Sequence, residues 1–327
     1  MIDQVALLVA GLVALFFGGN WLVRGASNLA LSFGVSVLII GLTIVAIGTS
    51  MPELLVSVQA ALAGKSDLAV GNVIGSNIAN IGLILGATGL IAPLSVKAGL
   101  LRREVPIMIL ASLLAFGLTF DGSISRLEGA ILLLAFVAFN LLFYRLARRE
   151  SEARENLQAD LEESPDGGLS RWREFMFLFA GVAALVLGSR MMVEGAVNLA
   201  RLFGISELVI AITLVAFGTS LPELAASLSA AYHRETDLAI GNVVGSNIAN
   251  LLLILGVTAF VQPISVDRGD AQFEFIIMIA FALLLIPFTR HQRLGRRGAA
   301  LLLGAYVAFV IYSLAAGSEI PMADFLW

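Results

Sequence analysis

Along this chain, polar residues are too sparse to give most segments a wet face. Apolar runs of about 20 residues, the length that crosses a bilayer as a helix, recur from one end to the other. They predict ten spans at roughly 4–31, 36–63, 68–92, 103–120, 126–146, 173–201, 206–232, 238–262, 273–289 and 298–316. The pattern also repeats. Residues 213–256 restate residues 43–86 at a constant offset of 170, without a gap and with about two-thirds identity. The likeness reaches further: Gly25, Ala26, Asn28, Leu29 and Ala30 recur as Gly195, Ala196, Asn198, Leu199 and Ala200. Internal duplication of this kind sets the architecture. Five helices per copy is an odd number, so the second copy enters the membrane from the opposite side. The expected fold is an all-α polytopic membrane protein of ten transmembrane helices, arranged as two inverted five-helix repeats, 1–146 and 173–327.

Between the copies, residues 147–172 form the one substantial hydrophilic stretch, with mixed charge and a Pro165-Asp166-Gly167-Gly168 turn. It reads as a solvated linker; its acidic residues lack the spacing of a calcium-binding loop. Composition agrees: 59% of the 327 residues are hydrophobic and 13% charged, where a soluble domain carries about 25% charged residues. There is no basic stripe for nucleic acid. The absence of cysteine excludes disulfides, thiolate metal sites and cysteine nucleophiles. The start, MIDQ, has no positive region, so a cleaved leader is not expected. Lys and Arg gather on one side of the ten spans: Lys97, Arg102 and Arg103, then Arg145 to Arg173, Arg234 and Arg290 to Arg297. The other side has only Lys65, Arg126, Arg201 and Arg268. The rich side is therefore expected in the cytoplasm, with the linker inside and both termini outside.

Two motifs carry chemistry, each present twice. In Gly48-Thr49-Ser50-Met51-Pro52-Glu53 and Gly218-Thr219-Ser220-Leu221-Pro222-Glu223, the proline removes an amide donor and collides with the carbonyl four residues back. Free carbonyls are tolerated at membrane depth only against protein or a watery cavity. Hydroxyls and a carboxylate stand beside them. Carboxylate, hydroxyl and carbonyl oxygens are the ligands of hard cations such as Ca2+ and Na+. A proline kink with its glutamate paired to a nearby base is the plainer alternative; Arg24 and Arg190 are the bases well inside the spans. The second motif, Gly71 to Asn80 and Gly241 to Asn250, supplies Ser76 with Asn80 and Ser246 with Asn250 one turn apart. For Asn77 and Asn247, helix glue and ion binding weigh equally. His233 and His291 are expected to be solvated, Asp67 and Asp237 to cap helices, and Trp21, Trp172 and Trp327 to anchor at interfaces.

These residues resemble the cation/calcium exchanger superfamily, specifically its bacterial sodium/calcium antiporters. The stretches GTSMPE…GNVIGSNIAN and GTSLPE…GNVVGSNIAN are similar to that family's two alpha repeats, and the likeness covers essentially the whole chain. The resemblance implies a Ca2+ site with Glu53 and Glu223 as its carboxylates, completed by the carbonyls of Thr49 and Thr219. It implies flanking Na+ sites drawing on Ala46, Ser50, Ser76, Ala216, Ser220 and Ser246, with Asn80 and Asn250 near the centre. It further implies that the first and sixth helices slide against the rest. Some members carry aspartate at one central asparagine position; here both are asparagine, so two formal charges face one Ca2+. The expected activity is export of Ca2+ in exchange for Na+, with H+ as the alternative coupling ion and a cation channel as a remote third. Inversion favours alternating access over a channel. An enzyme is not expected, since the helices hold no Ser-His or Asp-Asp pair, and no nucleotide-binding loop supports ATP-driven pumping. No cofactor or obligate protein partner is expected beyond the transported ions and the bilayer.

Overall fold

A computed structural model describes residues 2–95, 101–159, 171–203, 216–267, 269–291 and 293–315. The start of the seventh span (206–215), the later part of the linker (160–170), Lys97, Arg268 and Trp327 lie outside the described residues. The helices run in order: α1 (Ile2–Ser32), α2 (Val37–Thr49), α3 (Met51–Leu62), α4 (Ser66–Ile91), α5 (Leu101–Gly117), α6 (Arg126–Ala159), α7 (Arg171–Leu202), α8 (Ala216–Thr219), α9 (Leu221–Tyr232), α10 (Thr236–Val261), α11 (Asp270–Leu283), α12 (Ile286–His291) and α13 (Arg296–Ala315). Six of the described helices are long and apolar enough to cross a membrane by length and composition, or seven with the bent pair α2–α3 counted as one span.

Three spans depart from expectation. The second breaks at Ser50, where α2 and α3 meet at 44°, because Pro52 cannot extend the hydrogen-bond ladder. The fifth does not stop at Leu146: its helix continues to Ala159, through Glu, Ala and Arg residues that favour helix even without a partner face. The ninth splits at Leu284-Leu285, with Pro287 in the first turn of α12, a position that tolerates a missing amide hydrogen.

Inversion is written into two short ladders. Strand β1 (Leu94–Ser95) pairs antiparallel with β4 (Arg293–Leu294), and β2 (Ser123–Ile124) with β3 (Ile264–Ser265). Shifting β1 by 170 gives β3, and shifting β2 gives β4. Each ladder thus joins opposite elements of the two copies. The Thr236 hydroxyl donates to the Ser95 carbonyl beside the first ladder (2.6 Å), and the Ser265 amide donates to the Ser66 hydroxyl beside the second (3.2 Å). Residues 66 and 236 are again equivalent, so equivalent ends of the repeats sit at opposite ends of the molecule. Arg234 and Arg293 fall at the β1–β4 end; Lys65 and Arg126 fall at the other.

Helices α1 and α7 pack along their length, antiparallel. Gly11, Gly18 and Gly25 recur every seven residues, as do Gly181, Gly188 and Gly195. A Cβ on Gly18 would lie 2.9 Å from the Leu185 amide nitrogen, and one on Gly181 only 2.5 Å from that of Leu22. Small residues let the backbones meet where hydrocarbon offers no hydrophobic drive. Each end is clamped by an amide: Asn28 donates to Glu174 (2.9 Å) and Asn198 to Gln4 (3.2 Å). Arg24 also faces Glu174, at 4.0 Å, and stacks over Phe177. It is spent at the α1–α7 contact rather than on Glu53.

The candidate cation site

Two breaks and two widened turns bring the site together. In α4 and α10 the backbone loosens from i→i+4 to i→i+5 bonding at equivalent points, over Asn80–Leu85 and Asn250–Ile254. Such insertions concentrate at functional sites. The breaks at Ser50 and Ser220 have nearly the same backbone angles, φ −84°, ψ 9° and φ −88°, ψ 6°. Each starts a new helix whose first turn carries the glutamate. The expected loosening of the carbonyls before the prolines is answered in one copy by a side chain: Ser189 donates to the Gly218 carbonyl at 2.6 Å.

Glu53 and Glu223 are both 1% exposed, and each is held by the other copy. Ser50 donates to Glu223 Oε1 at 2.9 Å, and Ser220 to Glu53 Oε1 at 3.5 Å. Since Ser50 lies three residues before Glu53, and Ser220 three before Glu223, this exchange brings the carboxylates together, where their like charges repel. Neither has a basic partner among the described residues, and Glu53 Oε2 and Glu223 Oε2 accept no hydrogen bond. A buried carboxylate left this way costs several kcal/mol. The geometry demands positive charge.

The asparagines divide into two kinds. Asn77 and Asn247 tie α4 to α10: each Nδ2 donates to the other's carbonyl, both at 3.4 Å, and each Oδ1 accepts an amide, from Asn250 at 3.1 Å and from Asn80 at 2.9 Å. Their sulfur contacts with Met278 and Met108 close the set. Asn77 and Asn247 are therefore spent as cross-links. Asn80 and Asn250 use their nitrogens in that network and leave Oδ1 buried without a donor. Four oxygens, two charged and two neutral, thus stand unpartnered and related by the pseudo-twofold. Ser246 Oγ is a further buried atom without a partner; Ser76 is buried on α4, and Thr49 and Ala46 at the end of α2. Thr219 is half-buried with a partner of its own; Ala216 opens α8, and its side chain is outside the described set. Among the described residues no three acidic or histidine side chains converge, so any ion here relies on neutral oxygens for most of its shell.

Sequence reasoning missed Asn72 and Asn242. Asn72 donates to the Glu53 carbonyl (3.2 Å) and Ser57 (2.9 Å); Asn242 donates to the Glu223 carbonyl (3.3 Å) and Ser227 (3.2 Å), and accepts from Thr49 (3.1 Å). They fasten the glutamate-bearing turns to α4 and α10. Their presence in both copies was the available signal. Of the remaining candidates, His233 is exposed with its ring on the Ser229 carbonyl (2.8 Å), and Asp67 and Asp237 stand in first turns.

The two copies are alike in chemistry but not in cover. A Cβ on Gly241 would meet the Leu38 carbonyl at 2.7 Å and one on Gly245 the Leu42 carbonyl at 2.5 Å; positions 208 and 212, the equivalents of Leu38 and Leu42, lie outside the described residues. Met51 is 37% exposed and its equivalent Leu221 9%. Helix α9 lies against α1, with Gly19 packed on Ser229. Among the described residues, the glutamate-bearing helix of the second copy is thus the better covered of the two.

The family model for sodium/calcium exchanger protein matches residues 4–145 and 174–315, one match for each repeat. The chain belongs to the sodium/calcium exchanger family. Two curated relatives of this exchanger-family chain span nearly its full length. The inner membrane protein YrbG of Escherichia coli is 40% identical over 95% of this chain and 96% of its own, and the sodium/calcium exchanger MaX1 of Methanosarcina acetivorans is 35% identical over 93% and 97%. Among solved structures, the sodium–calcium exchanger NCX_Mj soaked with 10 mM Na+ and zero Ca2+ superposes with a TM-score of 0.82 at 33% identity, over 97% of this chain and 99% of that one. The exchanger-family chain is thus a polytopic helical membrane protein of the ten-helix fold, a transporter rather than an enzyme.

Proposed function

We propose that this protein is a secondary antiporter that exports Ca2+ from the cytoplasm in exchange for Na+ by alternating access. The observation carrying the reading is the set of four unpartnered, buried oxygens, Glu53 Oε2, Glu223 Oε2, Asn80 Oδ1 and Asn250 Oδ1, drawn equally from inverted repeats. Two carboxylates match the charge of one Ca2+, and the neutral oxygens suit a hard cation. In this reading the carbonyls of Thr49 and Thr219 complete the Ca2+ shell. Na+ ions occupy flanking positions built from Ala46, Ser50 and Ser76 in one repeat and Ala216, Ser220 and Ser246 in the other. Binding of cations at either place relieves the repulsion between the glutamates, so an empty site resists crossing and a filled one does not. That is what couples the two fluxes.

The same reading places the protein in the inner membrane with the Arg234 and Arg293 end in the cytoplasm, the 147–172 segment inside and both termini outside. The more exposed of the two glutamate-bearing helices, α3, then runs toward the outer face. A proton-coupled exchanger is the second reading, favoured by one observation: with asparagine at both 80 and 250, two protons taken up by Glu53 and Glu223 neutralise the site as completely as one Ca2+. Ca2+ flux into proteoliposomes, with Na+, K+ and H+ gradients imposed separately, decides. Uptake that follows the Na+ gradient supports the first reading and uptake that follows only the pH gradient supports the second. Ca2+ movement indifferent to every countergradient overturns both.

A further inference from the structure

The repeats duplicate one more acidic residue, and the cation site leaves it unused. Glu104 and Glu274 stand 170 positions apart, each four residues before a methionine, Met108 or Met278. Four residues is about one helical turn, so each glutamate shares a face with its methionine. Both sulfurs dock on the central cross-link: Asn247 donates to Met108 at 3.6 Å and Asn77 to Met278 at 3.5 Å. There the likeness ends. Glu274 is half-buried with a partner of its own. Glu104 is 1% exposed, and among the described residues neither carboxyl oxygen has a hydrogen-bond partner. Its helix, α5, packs against α10, α11 and α12. Of the other charged residues on those helices, Asp237 is likewise partnered, and the side chains of Asp270, Arg290 and His291 lie outside the described set. Among the described residues, Arg103, exposed and next along the chain, supplies the charge that acts on Glu104, without a hydrogen bond to it.

An ionised carboxylate without a bonded partner is far costlier to bury than its neutral acid. We propose that Glu104 is a proton-binding site separate from the Glu53–Glu223 pair, and that its proton keeps α5 closed on α10. Pro106 lies inside the helix between Glu104 and Met108 and has no amide to offer the Arg102 carbonyl. The second copy has Ile276 at that position, so the hinge belongs to this copy alone. When the proton leaves, the carboxylate reaches water by swinging the first turn of α5 outward, which draws Met108 from Asn247. The proton is bound and released in place and does not cross. The pH thereby acts on the α4–α10 cross-link whichever ion is exchanged for Ca2+.

The test is infrared spectroscopy of the purified protein without Na+ or Ca2+, in a Glu53→Gln/Glu223→Gln background that removes the transport pair. At neutral pH the carbonyl stretch of a protonated carboxylic acid is expected, and adding Glu104→Gln abolishes it. Glu274→Gln leaves it in place. Glu104→Asp shifts the band instead of removing it, which keeps the assignment testable should the glutamine variant not fold. Melting reads the second half of the proposal. The folded protein holds a proton that the unfolded chain has released, so the melting temperature falls as the pH is raised from neutral to alkaline. With Glu104→Gln added it falls less. Absence of the band at neutral pH, or its survival in Glu104→Gln, overturns the site. The same fall in melting temperature with and without Glu104 overturns the loosening of α5.

Discussion

Replacing Glu53 by glutamine tests the cation site with the least disturbance to the fold. The amide has the shape of the carboxylate, and its oxygen can still accept the Ser220 hydroxyl that now reaches Glu53 at 3.5 Å. What changes is charge: the pair Glu53 and Glu223 falls from two negative charges to one, in a place where both are 1% exposed. Without cations the substitution removes a like-charge repulsion inside a low-dielectric interior, so the empty protein should melt higher than wild type. With Ca2+ the sign reverses. Breaking a buried charge pairing by removing one partner costs about 3–5 kcal/mol, which is about 150- to 4,000-fold in affinity. Ca2+ at 100 times the wild-type Kd stabilises wild type by about 2.7 kcal/mol, and the same concentration should stabilise Glu53→Gln almost not at all. Melting in detergent over a Ca2+ series reads both signs at once, and Ca2+ uptake into proteoliposomes reads the functional loss. Glu223→Gln should match it, since the two residues are equivalent under the pseudo-twofold. A Glu53→Gln protein with a wild-type Ca2+ shift or Ca2+ flux would refute the assignment of the site.

Asn77→Leu removes a cross-link, leaving Asn250 Nδ2 without its acceptor at 3.1 Å and the Asn247 carbonyl without its donor; at about 1–3 kcal/mol for each stranded group, the loss of about 2–6 kcal/mol should appear as a lower unfolding midpoint even without ions. Asn250→Asp adds a third charge to the cavity and should change cation selectivity or pH dependence of flux; identical ion and pH profiles would count against a central place for Asn250. Gly181→Leu should prevent stable folding, because a Cβ there lies 2.5 Å from the Leu22 amide nitrogen and the α1–α7 backbones would have to separate. Gly241→Ala should lower the melting temperature, because the added Cβ meets the Leu38 carbonyl at 2.7 Å. Because the chain has no cysteine, single cysteines at positions 55 and 225 can be compared for labelling by a water-soluble maleimide, with Leu55→Cys, at a residue 58% exposed, reacting faster.

Much of this was legible in the chain because duplication prints each feature twice. The ten spans, the odd helix number and the glutamates after Pro52 and Pro222 follow from hydropathy, arithmetic and the missing proline donor. What was not legible depends on which atoms are already occupied. Asn77 and Asn80 are one turn apart and chemically identical, and only the cross-repeat partners separate the cross-link from the free oxygen. The sequence likewise offers Asn72 as one more polar residue in a glycine-rich motif; its duty, holding the Glu53 turn through the 3.2 Å bond to that residue's carbonyl, needs the distance. Helix ends were misplaced where polarity was mistaken for loop, as beyond Leu146, since a solvated helix of good helix formers carries no apolar stripe to announce it.

The unequal cover of the two repeats could not have been found in any sequence, and the reason bears on mechanism. Met51 and Leu221 sit in the same motif, GTSMPE and GTSLPE, so local chemistry gives them similar packing preferences. Yet Met51 is 37% exposed and Leu221 9%. A difference between equivalent positions must come from the arrangement of whole bodies, here α1 lying against α9, with Gly19 packed on Ser229 and the Ala225 carbonyl. If nearly equal chemistry can support either arrangement, the mirror arrangement has a similar energy, with Met51 covered and Leu221 exposed. The proposed alternation then needs no new fold, only an exchange of roles between repeats. Bulk on the exposed helix therefore carries a consequence that folding assays miss. Leu55→Trp, at a residue 58% exposed whose equivalent is Ala225, fits the state described above and obstructs its mirror image, so it should bind Ca2+ with wild-type affinity while losing transport. Ca2+ binding by isothermal titration together with exchange in proteoliposomes separates these quantities. Wild-type exchange in Leu55→Trp would mean that α3 is never covered, and the exchange of roles would have to be abandoned.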